Sequence, residues 1–314
     1  DAPPCRPQRE MPLSTRSVAA TNAIRATERG PTNRSTAKTT APAATTHSTA
    51  TPKTAATTAA SCSTAAATSA SGAPSRIQVL REARKAAAER ERAREALVDA
   101  ANLRRNPLKE LSVRRAFRSN GLDAALEWQR GAALSDEELL FCSALLSANM
   151  RAQAKAAGWG WSDAAKRRAL RDDQSRVLLI RSRGAVPDLP QATGGEACSH
   201  ASSALSGQRR LLGFVLLQFC IEGTRSALYL LELQLIPQTR SRGLGAFLMH
   251  VLEELARAQR MSCVMLTVFK ANTGALRFYE SHGYTVDESS PSRCGVPGST
   301  YQIMSKEVGT AAPK

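Results

Sequence analysis

Leu228-Tyr-Leu-Leu-Glu-Leu-Gln-Leu-Ile-Pro237, Gln238-Thr-Arg-Ser-Arg-Gly-Leu-Gly245 and Ala246-Phe-Leu-Met-His-Val-Leu-Glu-Glu-Leu255 follow one another without a break. They read as a strand, a glycine-bearing turn and the helix that starts on it. From the turn onward apolar residues fall at Leu244, Phe247, Leu248, Val251, Leu252 and Leu255, the i, i+3, i+4, i+7 spacing of a helix with one buried face. Ahead of it, Leu, Tyr and Ile occupy both alternating faces of 228–236, as in a central strand covered on both sides, with Glu232 and Gln234 as polar interruptions. The turn brings Arg240, Arg242, Gly243 and Gly245 to the helix start. Glycines there let backbone N–H groups approach a ligand, and the helix N-terminus carries partial positive charge to which the arginines add. The pattern predicts a pyrophosphate site. It is not the dinucleotide fingerprint, which has three glycines in another spacing and an acidic residue about 20 positions on.

The rest of the 314-residue chain divides by composition. Residues 1–75 are dominated by Ala, Thr, Ser, Pro and Arg and hold too few large apolar side chains to offset the entropy of ordering, so a disordered tail is expected there. Arg76–Arg105 reads as a basic helix with a thin apolar stripe and Pro107 beyond its end. Residues 106–308 have the length of one α/β domain, with an insertion at 187–210 and a short tail at 309–314. Forty-three Lys and Arg against 27 Asp and Glu give a net charge of +16, which reads as a solvated basic surface or as one for acidic partners; the basic helix is expected to lie over the domain surface, with an arm facing a nucleosome or ribosome as the alternative. The seven cysteines are scattered, with no C-x-x-C pair, and the four histidines lie far apart in sequence. Neither a metal site nor a disulfide framework is indicated, and a reducing compartment is the natural inference. The Arg- and Ser/Thr-rich beginning is also the composition of a transit peptide. No apolar run is long enough to span a membrane.

Along the domain, Asn106–Leu111 starts a short helix and Ala125–Arg130 a strand. Ser135-Asp-Glu-Glu138 is an N-cap with acidic residues in the first turn of a helix reaching about Ala157, which Gly158-Trp-Gly-Trp161 breaks. Strands follow at Ser175–Ile180 and Leu211–Ile221, the latter joined to the central strand by the five-residue loop Glu222–Ser226. Ser262–Phe269 has strand composition, Lys270–Gly283 reads as a helix closed by its glycine, and 284–287 and 300–305 make a last strand pair. The sum is an α/β (α+β) fold, a mixed and mostly antiparallel sheet with helices on both sides.

The strand order, Arg240-x-x-Gly243-x-Gly245 and Asn272-x-x-Ala275-x-x-Phe278-Tyr279 together resemble the GNAT acyl-CoA N-acyltransferases. Within them, Asn106-Pro-Leu-Lys-Glu-Leu, Trp159-Gly-Trp, Asp172-Asp173, Glu232-Leu-Gln-Leu, Val264-Met-Leu-Thr-Val-Phe-Lys270 and Ser289-Ser-Pro-Ser292 resemble the NatD-type N-terminal acetyltransferases. That resemblance implies transfer of acetyl from acetyl-CoA to the α-amine of histones beginning Ser-Gly-Arg-Gly, in the cytoplasm and nucleus. It implies that Leu233, Gln234 and Leu235 pair with the pantetheine arm and that Ser241, Arg242, Gly243, Leu244, Gly245 and Ala246 hold the pyrophosphate beside Arg240. Asn272 would contact coenzyme A further along. Trp159, Leu231, Glu232, Thr267, Ser289 and Tyr301 would line the peptide site. Three positions depart from that family: Ala154 and Leu231 stand where a tyrosine is expected, and Cys220 where an acidic residue is expected to meet the substrate arginine.

An α-amine has a pKa of about 7.7–8.0 and must lose a proton before it attacks a thioester. A carboxylate within an apolar strand suits that task, which makes Glu232 the candidate base; contact with a substrate arginine is its other reading. Backbone N–H groups near Leu233 would stabilise the oxyanion. Tyr279 is placed either to protonate the departing thiolate or to pack. No histidine lies near Cys220 or Cys263, so direct transfer is expected over a cysteine nucleophile. Two other readings stand beside this one, a GNAT enzyme for lysine side chains or a small amine and a non-catalytic coenzyme A-binding protein of chromatin or ribosomes.

Overall fold

A computed structural model describes residues 75–111, 115–184 and 209–309. The tail expected at the start and most of the 187–210 insertion lie outside the described residues. Those described fall into two units, 75–87 and 88–309. In the first, Ser75 caps helix α1 (Arg76–Leu103): its hydroxyl accepts from the Gln78 amide at 3.3 Å and the Gln78 side chain returns the bond at 2.9 Å. The second unit contains the rest of α1 and the domain itself.

That domain is built on one eight-stranded sheet of order β1-β2-β3-β4-β5-β6-β8-β7. The strands are β1 (Ala116–Ser119), β2 (Leu122–Arg130), β3 (Arg176–Ser182), β4 (Leu211–Glu222), β5 (Arg225–Leu235), β6 (Cys263–Phe269), β7 (Thr285–Val286) and β8 (Tyr301–Glu307). β5 and β6 run parallel and the other pairings are antiparallel. α4 (Leu244–Ala258) makes the β5–β6 crossover, and its Leu248, Val251, Leu252 and Leu255 are buried with Val98 and Ala101 of α1 against one face. Each such fully buried leucine contributes about 1.5–3 kcal/mol relative to exposure. The other face is covered by α2 (Asp136–Ala156) through Cys142, Leu145 and Leu146 and by Leu170 of α3 (Asp163–Leu170). Ser135 and Glu138 close a full capping box at the start of α2. After β6 comes α5 (Thr273–Ser281), which ends in a Schellman motif: Gly283 takes φ +82°, and Tyr284 N donates to Tyr279 O while Gly283 N donates to Glu280 O.

The structure differs from the sequence reading at three places. The β4–β5 loop has two residues, not five, since Glu222 pairs with Arg225 and Gly223 at φ +61° turns the chain. Asn120 and Gly121, both at positive φ, join β1 to β2 in a two-residue hairpin that the reading lacked, although Asn-Gly is a strong hairpin signal. Helix α3 was also absent from it. Ser162 caps that helix by accepting from the Ala165 amide.

Two irregularities in β5 make the site. Its register against β4 slips between Leu216 and Leu217, which leaves Leu231 as a bulge. Before the bulge Leu228 and Leu230 face α4 and Tyr229 the opposite side; after it Leu233 and Leu235 face α4. The alternation has changed phase, which puts Glu232 and Gln234 on the side of α2 and α3. Second, β5 pairs with β6 only from Ala227 to Leu230, yet runs on to Leu235 while β6 runs on to Phe269. Past Leu230 and Leu266 the strands splay, and alternate backbone groups of Leu231–Leu235 face the gap without a strand partner.

Candidate active site

The gap opens into a cleft of about 640 Å³, floored by β5 and β6 and walled by α2, α3, the Trp159–Trp161 loop and α5. One end is the turn before α4. Ser241 at φ +58° and Gly243 at φ +85° bend it, and Gly243 is the N-cap of α4 with no side-chain cap bond and no acidic residue in the first turn. The opening N–H groups of the helix are therefore left for an anion. Gly245 also has a local reason: a Cβ there would sit 3.3 Å from the Phe278 ring. The β1–β2 hairpin braces this turn, with Asn120 Nδ2 donating to Arg242 O at 2.9 Å and Phe117 packed on Phe247.

A chain of side-chain hydrogen bonds runs from this end to the other. Arg240 donates to Leu235 O at 3.0 Å and to Asn149 Oδ1 at 2.6 Å. Asn149 Nδ2 donates to Gln234 Oε1 at 2.9 Å, and Gln234 Nε2 to Glu232 Oε2 at 3.0 Å. Lys166 Nζ donates to the other carboxylate oxygen, Oε1, at 3.2 Å. Glu232, with its side chain 13% exposed, is held from both sides. Arg240 thus ties the strand end to α2, and its guanidinium lines the same end of the cleft as the opening amides of α4.

Of the residues read from the sequence, Leu233, Gln234, Leu235, Arg240, Ser241, Gly243, Gly245, Ala246 and Asn272 line the cleft, as do Glu232, Leu231, Thr267, Trp159 and Tyr279. Asn272 also caps α5 through Ala275 N. Leu244 is fully buried in the core, and Arg242 meets the β1–β2 turn, its Nη1 donating to Asn120 O. Ser289 lies outside the cleft, its amide and hydroxyl both on Asp287 Oδ1. Tyr301 stacks edge-on against Trp159 at 5.2 Å and lines a neighbouring hollow of about 390 Å³. Ala154 is buried in α2, and Cys220 is not among the cleft residues. Lys166, Asn149 and Tyr229, whose hydroxyl meets Thr267 Oγ1 at 2.6 Å, are additions made by the fold.

Burial raises the Tyr279 phenol above its ordinary pKa, and the Glu232 carboxylate adds to the shift. The ring therefore stays protonated and able to donate. Burial likewise pushes up the thiols of Cys220 and Cys263, the latter to about 12, so neither is a thiolate near neutral pH. At the mouth, Asp163 accepts from Trp161 Nε1 at 2.9 Å and from Arg151, which fixes the indole and lowers the Asp163 pKa.

Residues 168–284 match the sequence model of the Acetyltransferase (GNAT) family. Among solved structures the chain is similar to Ard1 from Thermoplasma volcanium, at 17% identity over 59% of this chain and 98% of that one, TM-score 0.37. It is similar to the ribosomal-protein-S18-alanine N-acetyltransferase from Escherichia coli, at 13% over 60% and 96%, TM-score 0.38. A third is the PaiA N-acetyltransferase from Thermoplasma acidophilum in complex with coenzyme A, at 16% over 58% and 99%, TM-score 0.35.

The matched segment, from α3 through β6 to α5, contains the strand, the turn and the helix that build the cleft, and the family it matches takes its acyl group from acetyl-CoA. The residues present fit that donor. The unpaired edge of Leu231–Leu235 suits an amide-bearing arm, and the uncapped start of α4 suits a pyrophosphate. When bound, the donor supplies an acetyl group activated as a thioester.

Proposed function

We propose that the protein acetylates the N-terminal α-amine of histones that begin Ser-Gly-Arg-Gly. The observation that carries this reading is the placement of Glu232 at the β5 bulge, on the acceptor side of the splayed strands and next in sequence to the edge expected to hold the thioester. A carboxylate there takes the proton from an incoming α-amine, directly or through water. Leu233 N–H steadies the developing oxyanion and the protonated Tyr279 serves the departing sulfur. The aromatic wall of Trp159 and Trp161 suits a peptide backbone, and the NatD-like motifs supply the choice of histone. The protein then works where histones are made and stored, in cytoplasm and nucleus.

The test is mass spectrometry of a Ser-Gly-Arg-Gly peptide after incubation with the protein and acetyl-CoA. The expected product carries acetyl on the α-amine, and a peptide already blocked there is inert. A second reading, transfer to lysine side chains or a small amine, draws on the ε-ammonium of Lys166 already seated on Glu232 and on Leu231 and Cys220 at the departing positions. Modification of lysines alone establishes that reading instead, and calorimetry showing no coenzyme A binding removes both.

A further inference from the structure

We propose that Lys166 is itself an acceptor, acetylated by its own protein whenever no other amine fills the acceptor half of the cleft. The inference rests on the acetyltransferase reading of Glu232. Among the described residues Lys166 is the one lysine that lines the cleft. Its Nζ is 3.2 Å from Glu232 Oε1, the position that an amine about to surrender a proton to this carboxylate must take. The carboxylate cannot swing away easily, because Gln234 holds its second oxygen at 3.0 Å. Nor is the lysine sealed in: its side chain is 35% exposed, and its Nζ lies 5.4 Å from the centre of the Trp161 ring. Lys306, by contrast, is held by both oxygens of Glu253, away from the cleft.

The chemistry balances with acetyl-CoA as the only co-reactant. The ammonium gives one proton to Glu232, which returns it to solvent. The amine lone pair attacks the thioester carbonyl, the C–N bond forms and the C–S bond breaks, and the thiolate takes up the second nitrogen proton. The products are Nε-acetyl-lysine and coenzyme A. An ε-amine parts with its proton less readily than an α-amine, so self-acetylation is the slower reaction and a peptide at Glu232 suppresses it. Once acetylated, Lys166 no longer carries the charge that pairs with Glu232.

The full chain is incubated with deuterium-labelled acetyl-CoA and no peptide, then digested and mapped by mass spectrometry. Label is expected at Lys166, at a rate independent of protein concentration, about tenfold or more slower in Glu232→Gln, and suppressed by saturating Ser-Gly-Arg-Gly peptide. In Lys166→Arg that site gives none. If the peptide is acetylated while Lys166 stays unlabelled, the self-acceptor proposal fails and the acetyltransferase reading stands. Absence of coenzyme A binding together with no labelling overturns both. Label at Lys166 no greater than at Lys109 or Lys155 and indifferent to the peptide, or a rate that rises with protein concentration, also overturns it.

Discussion

At the α4 end the cleft is built around backbone groups, the edge of Leu231–Leu235, the amides around Gly243 and a turn held by positive φ at Ser241 and Gly243, with the Arg240 side chain beside them. At the Glu232 end they are side chains, delivered by α2, α3 and the Trp159–Trp161 loop and held in place by one another. The first construction depends on what the chain cannot have, a Cβ or a cap. The second depends on partners far away in sequence. Substitutions should therefore damage the two ends differently, affinity for the donor at one and turnover or acceptor choice at the other.

The largest expected effect belongs to Glu232→Gln. If it is the base, kcat falls about 10²–10³-fold, or about 3–4 kcal/mol, with coenzyme A affinity by calorimetry unchanged; an undiminished kcat assigns the residue to substrate binding. Next is Gly243→Val, which forces a β-branched residue to φ +85°. Strain of about 1–3 kcal/mol weakens coenzyme A binding about 10–100-fold, with kcat at saturating donor largely kept. Asn149→Ala cuts the hydrogen-bond chain between the ends, so it is the one change expected to impair both, each about tenfold. A loss confined to one parameter would show that the chain does not couple them. The smallest is Tyr279→Phe, below about tenfold in kcat. Because the phenol pKa is raised, Tyr279 stays protonated as pH rises past about 10, the ordinary value. The rate should then show no alkaline decline from this residue below that pH; a decline that disappears in Tyr279→Phe would contradict it.

What could be read beforehand follows the same division. The turn and α4 are local features, carried by glycine spacing and a 3.6-residue period, and Glu232 announced itself as an acid in an apolar strand. Its side of the sheet did not, because a strict two-residue alternation puts Glu232 with Leu228 and Leu230, and only the bulge at Leu231 reverses it. Lys166 and Asn149 meet their partners across 66 and 85 residues, distances over which periodicity carries no information. The β1–β2 hairpin is a different case: Asn120-Gly121 was visible, and what could not be seen was that Asn120 would reach Arg242.

From β1 to β6 the strands stand side by side in the order in which a ribosome makes them. Each can add to an edge already present, so the growing sheet needs few long-range searches, the kind of connectivity that speeds assembly. β8 is the exception, since it must enter between β6 and the earlier-made β7. The wedge between β5 and β6 stays open until that sixth strand is added, and a nascent chain stopped short of β6 would carry the turn before α4 with nothing across from it.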